Sequence, residues 1–180
     1  MTPLLRHRDA RAALFAGVLS LSLLCGAWIF QYGFGYAPCI MCYWQRHAHK
    51  AVLAVAVAVL LARAAFGEDA SGRARGLPLW LGPVLLVALL LFSAGLGGYH
   101  VGVEFGFWEG PKACAAGAIG ELSAIDPNDP LAALDAPVGP IACSDVVWSF
   151  LGISMAGWNA LVSLAGAVGT AYLGFKGARA

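Results

Sequence analysis

Three long stretches of this 180-residue chain carry no charged side chain, and this pattern limits the fold more than any other feature. The stretches are residues 12–45, 77–99 and 146–175. A helix needs about 20 apolar residues to cross the hydrocarbon core of a bilayer. The first 19 residues of the first stretch, 12–30, are mostly apolar, and the other two stretches are 23 and 30 residues long. Three membrane spans therefore follow from length alone.

One further span, the second along the chain, is predicted less directly. Only residues 51–62 are cleanly apolar there, so a helix long enough to cross must also contain residues 39–50. That choice brings Arg46 and Lys50 into the span, and both side chains must reach an interface or a polar pocket. We expect an all-α membrane protein, a bundle of four transmembrane helices. The spans are expected at about residues 12–32, 40–63, 77–100 and 146–175.

The distribution of charge sets the expected orientation of this bundle. Four spans place both termini on one side of the membrane, and eight of the 11 Lys and Arg residues fall on that side. By the positive-inside rule this side is cytoplasmic. The outer loops are then about residues 33–39 and 101–145, and seven of the ten acidic residues lie in or beside the second. The chain is interpreted as a single integral membrane domain over residues 1–180.

Composition excludes other classes of protein. Hydrophobic residues make up 60% of the chain and charged residues only 12%, which is too apolar for an ordinary soluble domain. The formal net charge of +1 supplies neither a basic surface for nucleic acid nor the excess charge that keeps a chain disordered. We therefore expect a monomeric membrane protein with no nucleic-acid partner.

Four of the five cysteines fall on the predicted outer face, as the pairs Cys39/Cys42 and Cys114/Cys143. Outside the cytoplasm such pairs persist as disulfides. A Cys114–Cys143 bridge closes a ring of about 30 residues and would stabilise its loop by roughly 3–4 kcal/mol in the chain-entropy model. A Cys39–Cys42 bridge closes almost no loop, so it is better explained as a redox couple. The fifth cysteine, Cys25, is interpreted as an inert thiol in the core.

The residues around Cys39 and Cys42 favour reactivity. Pro38 can begin a helix, which places both thiols in its first turn, where free N–H groups and the helix dipole favour a thiolate. Arg46 follows Cys42 by four residues, on the same face and one turn deeper. Its guanidinium can stabilise the Cys42 thiolate or a reduced oxygen ligand. The alternative for Arg46 is a side chain that snorkels to lipid phosphates.

Spacing disfavours metal and haem sites. Haem attachment needs a histidine directly after the second cysteine of the motif, and this chain has Tyr43 there. A structural zinc site would require a second close pair of cysteines, whereas Cys114 and Cys143 are 29 positions apart. His47 and His49 lie deeper in the span. We expect no metal site.

Four segments of the chain share a pattern with a known family. They are residues 39–46 (Cys-Ile-Met-Cys-Tyr-Trp-Gln-Arg) after Pro38, Tyr99-His100 at the outer end of the third span, a lone cysteine pair in the second outer loop, and residues 152–159 (Gly-Ile-Ser-Met-Ala-Gly-Trp-Asn) in the fourth span. Together these segments resemble the disulfide bond formation protein B (DsbB) family. The resemblance covers all four predicted spans.

The resemblance implies an enzyme of the bacterial inner membrane, a protein-dithiol:quinone oxidoreductase with its redox cysteines on the periplasmic face. It implies that a periplasmic thioredoxin-fold thiol oxidase (DsbA-like) is oxidised and that the electrons pass to a noncovalent ubiquinone or menaquinone, which sustains disulfide bond formation. Matched by position, six residues take roles: Cys114 is attacked by the partner's thiolate and Cys143 is its pair, Cys39 exchanges with that pair, Cys42 faces the quinone, and Arg46 and His100 bind near it.

The remaining polar residues of the spans are less informative. His100 alone would be a satisfied interface residue, and the family match together with the need for protons on a reduced quinone favours a role for it. Glu104 lies four residues beyond His100 and can pair with it, but is interpreted as a solvated rim carboxylate. His47 and His49 receive no role, and Asn159 is expected to bond to a neighbouring helix.

Two other functions stay open from the sequence. A quinone reductase resembling vitamin K epoxide reductase is the nearest enzyme, although its redox centre usually lies near the last spans and the Cys39/Cys42 pair begins the second. A membrane assembly protein held by two structural disulfides is the alternative from another class. In such a protein the Cys39/Cys42 pair would not change its redox state during respiration.

Overall fold

The computed structural model describes residues 7–66, 80–112, 114 and 142–176. Helix α1 spans Arg8–Trp28 and continues as a π-helical turn over Ile29–Gly33. Helix α2 spans Ile40–Phe66 and helix α3 spans Leu81–Glu104. Two short strands, β1 (Ser149–Phe150) and β2 (Ile153–Ser154), precede helix α4, Met155–Ala171, which ends in a π-helical turn over Tyr172–Lys176.

The described part of the chain is mostly helical, and three of its helices are long and apolar enough to cross a membrane. They cover Arg8–Gly33, Ile40–Ala65 and Leu81–Glu104, with lengths of 26, 26 and 24 residues. The second of these is the span that the sequence predicts least directly, and it forms one continuous helix through Arg46 and Lys50. Helix α4 is a fourth, shorter helix of 17 residues.

The start of the last helix differs from the sequence prediction, which places a span over residues 146–175. The helix begins only at Met155, because the residues before it form a β-hairpin with Ser149 opposite Ser154 and Phe150 opposite Ile153. Leu151 and Gly152 turn the chain with positive φ angles of 53° and 76°, which a helix does not allow. A run without charged residues shows only that the segment is apolar. The turn at Leu151 and Gly152 and the N-cap at Ser154 decide that this helix begins at Met155.

Other predicted boundaries shift by a few residues. The first outer loop, predicted over 33–39, begins after the π-helical turn that ends at Gly33. Helix α3 continues to Glu104, four residues into the predicted second loop. Of that loop, residue 113 and residues 115–141 lie outside the described residues. Residues 1–6, 67–79 and 177–180, which hold much of the predicted cytoplasmic segments and the first residues of the predicted third span, also lie outside them.

Small side chains allow the helices to pack closely. Helix α3 packs against α2 and α4, and α1 packs against α2 and α4. Ala13, Ala16, Val52, Ala56 and other apolar residues form a buried core among these helices. At Gly97 a Cβ atom would lie 2.9 Å from the backbone oxygen of Ala156, so only glycine permits this approach of α3 to α4. The contact fixes the outer half of α3, which carries His100.

A buried ion pair joins α1 to α2 at the opposite end from the cysteines. Arg63 Nε lies 2.5 Å from Asp9 Oδ2, and the two residues are 7% and 2% exposed. From the sequence, Arg63 is one of the cations expected on the cytoplasmic side. The structure shows that its guanidinium is enclosed by protein, because Asp9 on the first turn of α1 draws it inward.

Candidate redox site

The two cysteine pairs meet in one buried cluster. Cys39, Met41, Val103, Cys114 and Cys143 pack together there, with Cys42 at the edge. Cys114 and Cys143 form a disulfide across a sequence separation of 29 residues, whereas Cys39 and Cys42 are free thiols. A free Cys39/Cys42 pair is one of the two states between which a redox couple alternates.

Cys39 caps the start of α2, one residue before the first turn in which the sequence predicts it. It directly precedes Ile40, the first residue of the helix, and its sulfur accepts the backbone N–H of Cys42 at 3.3 Å. The Cys39 and Cys42 sulfurs are 3.0 Å apart. The hydrogen bond with the Cys42 thiol, together with the His100 ring, outweighs burial and lowers the pKa of Cys39 to about 4. The geometry therefore favours Cys39 as a thiolate in the reduced pair.

This lowered pKa predicts how the reactivity of Cys39 depends on pH. In metal-free buffer, and in a Cys25→Ser background, the rate of Cys39 alkylation should stay nearly constant from pH 8 down to about pH 5. An ordinary thiol with a pKa near 8.5 would slow about tenfold per pH unit over this range. Cys42→Ala should move the Cys39 profile towards that ordinary behaviour, and a profile that is unchanged in Cys42→Ala would contradict the assigned cause.

His100 lies against the cysteines rather than on the wall of a cavity. Its Nε2 atom is 3.6 Å from the Cys39 sulfur and 3.2 Å from the backbone oxygen of Cys143. Its Nδ1 atom is 3.0 Å from the Gln45 side-chain amide, and the His100 residue is only 4% exposed. One ring therefore touches both cysteine pairs. Gln45 had no assigned role, and its position three residues after Cys42 on the same helix face was the available signal.

Glu104 is enclosed, so its interpretation as a solvated rim carboxylate is wrong. Its side chain is 7% exposed, and its Oε1 atom lies 4.0 Å from His100 Nε2. The Ser154 hydroxyl, which also caps α4, donates to Glu104 Oε2 at 2.5 Å. The hairpin before α4 brings this hydroxyl to the end of α3, an arrangement that an uninterrupted fourth helix would not provide.

Arg46 is held by α1. Its guanidinium donates to the Gln31 side chain and to the backbone oxygen of Ala27, the latter at 3.2 Å, and lies 5.5 Å from the centre of the Tyr43 ring. Snorkelling to lipid phosphates is therefore not its arrangement in this structure. Arg46 is instead one of the polar groups beside the cavity described next.

A cavity of about 420 Å³ lies between α1, α2, α4 and the β-hairpin. Its wall is mainly apolar and includes Phe30, Trp148 and Trp158, while Cys42, Gln45 and Arg46 contribute polar groups at one side. None of the lining residues in the described part of the chain belongs to α3, which is why His100 does not reach the cavity. The cavity thus brings Cys42 and Arg46 together, and places Cys39 and His100 behind them.

His49, which had no assigned role, joins all four helices. Its Nδ1 atom is 3.1 Å from Ser20 Oγ, and its Nε2 atom is 2.8 Å from Asn159 Oδ1 and 3.1 Å from Ser93 Oγ. The expected bond from Asn159 to a neighbouring helix is confirmed. Serines at the same depth of three apolar helices were the signal for this network.

The interpretation of Cys25 as a core thiol is wrong. Cys25 lies on the exposed side of α1, beside the buried stripe that contains Ser20 and Leu24.

Comparisons with known proteins agree with these features. A family model described as disulfide bond formation protein DsbB matches residues 9–173. Disulfide bond formation protein B of Pasteurella multocida is 33% identical over 163 residues, covering 86% of this chain and 78% of that protein. The protein of the same name from Methylococcus capsulatus is 31% identical over 151 residues, covering 83% and 85% of the two chains. No solved structure matches the chain significantly.

Proposed function

The chain belongs to the disulfide bond formation protein DsbB family, and from this premise we propose that it oxidises a periplasmic thioredoxin-fold dithiol protein and passes the electrons to a membrane quinone. One observation carries the proposal. The two cysteine pairs lie in a single buried cluster, and the inner pair borders an apolar cavity through Cys42. Electrons therefore have a short path from the outer loop to that cavity.

The proposed relay is a sequence of thiol–disulfide exchanges. The partner's thiolate attacks Cys114 of the Cys114–Cys143 disulfide and releases Cys143 as a thiolate. Cys143 then attacks Cys39 of an oxidised Cys39–Cys42 pair and releases the Cys42 thiolate. The partner's second thiolate attacks the partner's own sulfur in the mixed disulfide, so that the partner leaves as a disulfide and Cys114 is released as a thiolate. The Cys114 thiolate then attacks Cys143, which re-forms the Cys114–Cys143 disulfide and releases Cys39, so Cys39 and Cys42 hold the two electrons. The contact of His100 with both Cys39 and the Cys143 backbone supports exchange between these two residues.

The residues beside the cavity fit a quinone. The cavity lies within the usual range of about 300–1,000 Å³ for small-molecule sites and has an apolar wall with a few polar groups. Cys42, Gln45 and Arg46 would hold the polar end of the ring, and the aromatic residues would pack against its apolar part. A bound quinone supplies an acceptor for two electrons and two protons. Arg46 keeps N–H groups beyond its two contacts with α1, because guanidinium has five donors.

We also propose the orientation that the charges indicate. Four helices cross the inner membrane, with both termini in the cytoplasm and the two cysteine pairs at the periplasmic face. The excess of Lys and Arg on one side of the predicted spans supports this topology. The burial of the Cys114–Cys143 disulfide against the start of α2 agrees with both pairs belonging to one face.

The function is tested with purified protein, a reduced thioredoxin-fold dithiol protein and quinone. Quinone absorbance should fall in proportion to the disulfide formed in the dithiol protein, with one quinone consumed per disulfide. Oxidation of more than two equivalents of the dithiol protein per chain without quinone consumption would contradict the proposal, because the fully oxidised chain holds two disulfides. In membranes, a Cys39/Cys42 pair whose redox state does not change when respiration is blocked would favour a structural role.

Arg46 provides a sharper test of the cavity. Arg46→Gln should raise the apparent Michaelis constant for quinone by about tenfold or more, because a charge-assisted hydrogen bond is worth roughly 1.5–3 kcal/mol. The rate at saturating quinone should change less. Lys50→Gln is the matched control, since Lys50 is the other cation of the outer half of α2 and is exposed away from the cavity. An unchanged constant in Arg46→Gln would remove Arg46 from the quinone site.

A further inference from the structure

Three soft or borderline metal ligands converge at the reduced cysteine pair. The Cys39 and Cys42 sulfurs and a ring nitrogen of His100 all lie within 4.8 Å of one another. His100 Nε2 is the nitrogen that approaches Cys39, at 3.6 Å. Both Cys39 and His100 are 4% exposed, so the cluster is enclosed by protein. Sequence spacing did not reveal this set, because His100 follows Cys39 by 61 residues.

Two of the three ligand–ligand distances can be compared with those that zinc requires, and the third, from Cys42 to His100, is no longer than 4.8 Å. Zinc bonds of about 2.3 Å to sulfur and 2.0 Å to nitrogen, in a tetrahedron, place two sulfurs roughly 3.8 Å apart and a sulfur and a nitrogen roughly 3.6 Å apart. The Cys39–His100 distance already has this value. The two sulfurs, now 3.0 Å apart, must separate by about 0.8 Å, which a small rotation of the Cys42 side chain can provide.

The surroundings of the three ligands also suit a metal ion. A ligating histidine usually gives its other ring N–H to an oxygen. Gln45 Nε2 lies 3.0 Å from His100 Nδ1, so zinc binding through His100 Nε2 requires the Gln45 carboxamide to rotate by 180°, which brings its oxygen to Nδ1. Two thiolates neutralise the charge of a divalent cation, which favours a buried site. The backbone oxygen of Cys143 and the carboxylate of Glu104 lie 3.2 Å and 4.0 Å from His100 Nε2, so oxygen atoms are available close to the ligating nitrogen.

We propose that the reduced Cys39/Cys42 pair and His100 form a zinc site that exists only while both cysteines are thiols. Binding converts the Cys39 thiolate, the Cys42 thiol and one Zn²⁺ into a zinc dithiolate and releases the Cys42 proton to solvent, and no electron is transferred. Formation of the Cys39–Cys42 disulfide removes both ligands, so the redox state of the pair decides whether the metal binds. Because a bound metal occupies both sulfurs, it would block thiol–disulfide exchange, a consequence that rests on the proposed function.

The site is tested by zinc binding to the full chain in detergent, without quinone or partner. A Cys25→Ser/Cys114→Ser/Cys143→Ser variant leaves only the Cys39 and Cys42 thiols, and should take up one Zn²⁺ per chain when reduced. Competition with a chromogenic chelator gives the affinity. Oxidation of the pair, or Cys42→Ser, should abolish stoichiometric binding. In the same background His100→Gln should weaken binding at least tenfold, and His47→Gln, which changes an exposed histidine of α2, should not.

Two results of the binding assay would overturn the inference. One is the absence of stoichiometric zinc in the reduced variant; the other is equal affinity in His100→Gln and His47→Gln, which would leave a simple dithiol. X-ray absorption of the zinc-loaded protein identifies the ligands directly, so this test does not depend on whether the His100→Gln variant folds. It should show two sulfurs at about 2.3 Å and a nitrogen at about 2.0 Å, and a shell without nitrogen would also overturn the site. Since no quinone enters these assays, their failure is separate from failure of the proposed function.

Discussion

Replacement of Cys42 by serine is expected to abolish quinone reduction, with a loss of at least ~10³-fold, because serine cannot close the disulfide with Cys39. The Cys39 thiolate keeps its helix-start position and its contact with His100. It can still attack the loop disulfide. Cys143 is the expected target, because its backbone oxygen contacts the same histidine, His100. Attack on Cys143 breaks the Cys114–Cys143 bond and releases Cys114 as a thiolate, so we expect a Cys39–Cys143 disulfide to accumulate in this variant. It is detectable by mass spectrometry of peptides prepared without reductant.

The matched control for this change is Cys25→Ser. Cys25 is also a free thiol of an apolar helix, but it lies on the exposed side of α1 and does not border the cavity. Its replacement should leave quinone reduction and the loop disulfide as they are in the unaltered chain. Quinone reduction by Cys42→Ser at a rate near that of Cys25→Ser would contradict the assignment of Cys42 as the thiol facing the quinone.

The features that the sequence predicts well are local ones. Charge-free runs of helix-spanning length depend only on neighbouring residues, and two of the three helices they predict, α1 and α3, are long and apolar enough to cross a membrane. The third helix of that length, α2, was predicted from its apolar half and the length that a span requires. The placement of Cys39 and Cys42 at a helix start likewise depends on Pro38 and a spacing of three. The fourth helix was mislocated at its start because apolarity does not distinguish a hairpin from a helix, and Leu151-Gly152 gave only a weak turn signal.

The features that the sequence could not provide are contacts between distant helices. The enclosure of Glu104 depends on Ser154, 50 residues away, and the approach of His100 to Cys39 depends on how α3 packs against α2. His49 has no informative neighbour in sequence, and its partners come from α1, α3 and α4. Each of these groups sits in an apolar environment where an unpaired polar atom is costly, so packing of the helices and pairing of the polar groups are decided together.

The cost of a buried polar group without a partner also predicts a large effect on stability at the Asp9–Arg63 ion pair, at the opposite end of the helices from the cysteines. Arg63→Met should lower the free energy of unfolding by about 3–5 kcal/mol, because it leaves the Asp9 carboxylate buried without its cation. Asp9 Oδ1 already lacks a hydrogen-bond partner among the described residues, so Arg63 is the main compensation for this charge. The loss corresponds to a decrease of roughly 10 °C in the midpoint of thermal unfolding in detergent.

A double variant separates the buried charge from the loss of the arginine itself. Asp9→Asn/Arg63→Met removes both charges and should recover most of the stability lost in Arg63→Met, since neutral replacement of a buried ion pair is often close to neutral in free energy. Arg8→Met is the matched control. Arg8 is an exposed cation, and among the described residues its guanidinium donates to the Phe175 backbone oxygen at 3.4 Å. Its loss should change the free energy of unfolding by less than about 0.5 kcal/mol. Equal midpoints for Arg63→Met and Arg8→Met would show that the Asp9–Arg63 pair does not stabilise the contact between α1 and α2. A double variant no more stable than Arg63→Met would instead attribute the loss to the packing of the arginine side chain, because in that case the uncompensated carboxylate contributes nothing.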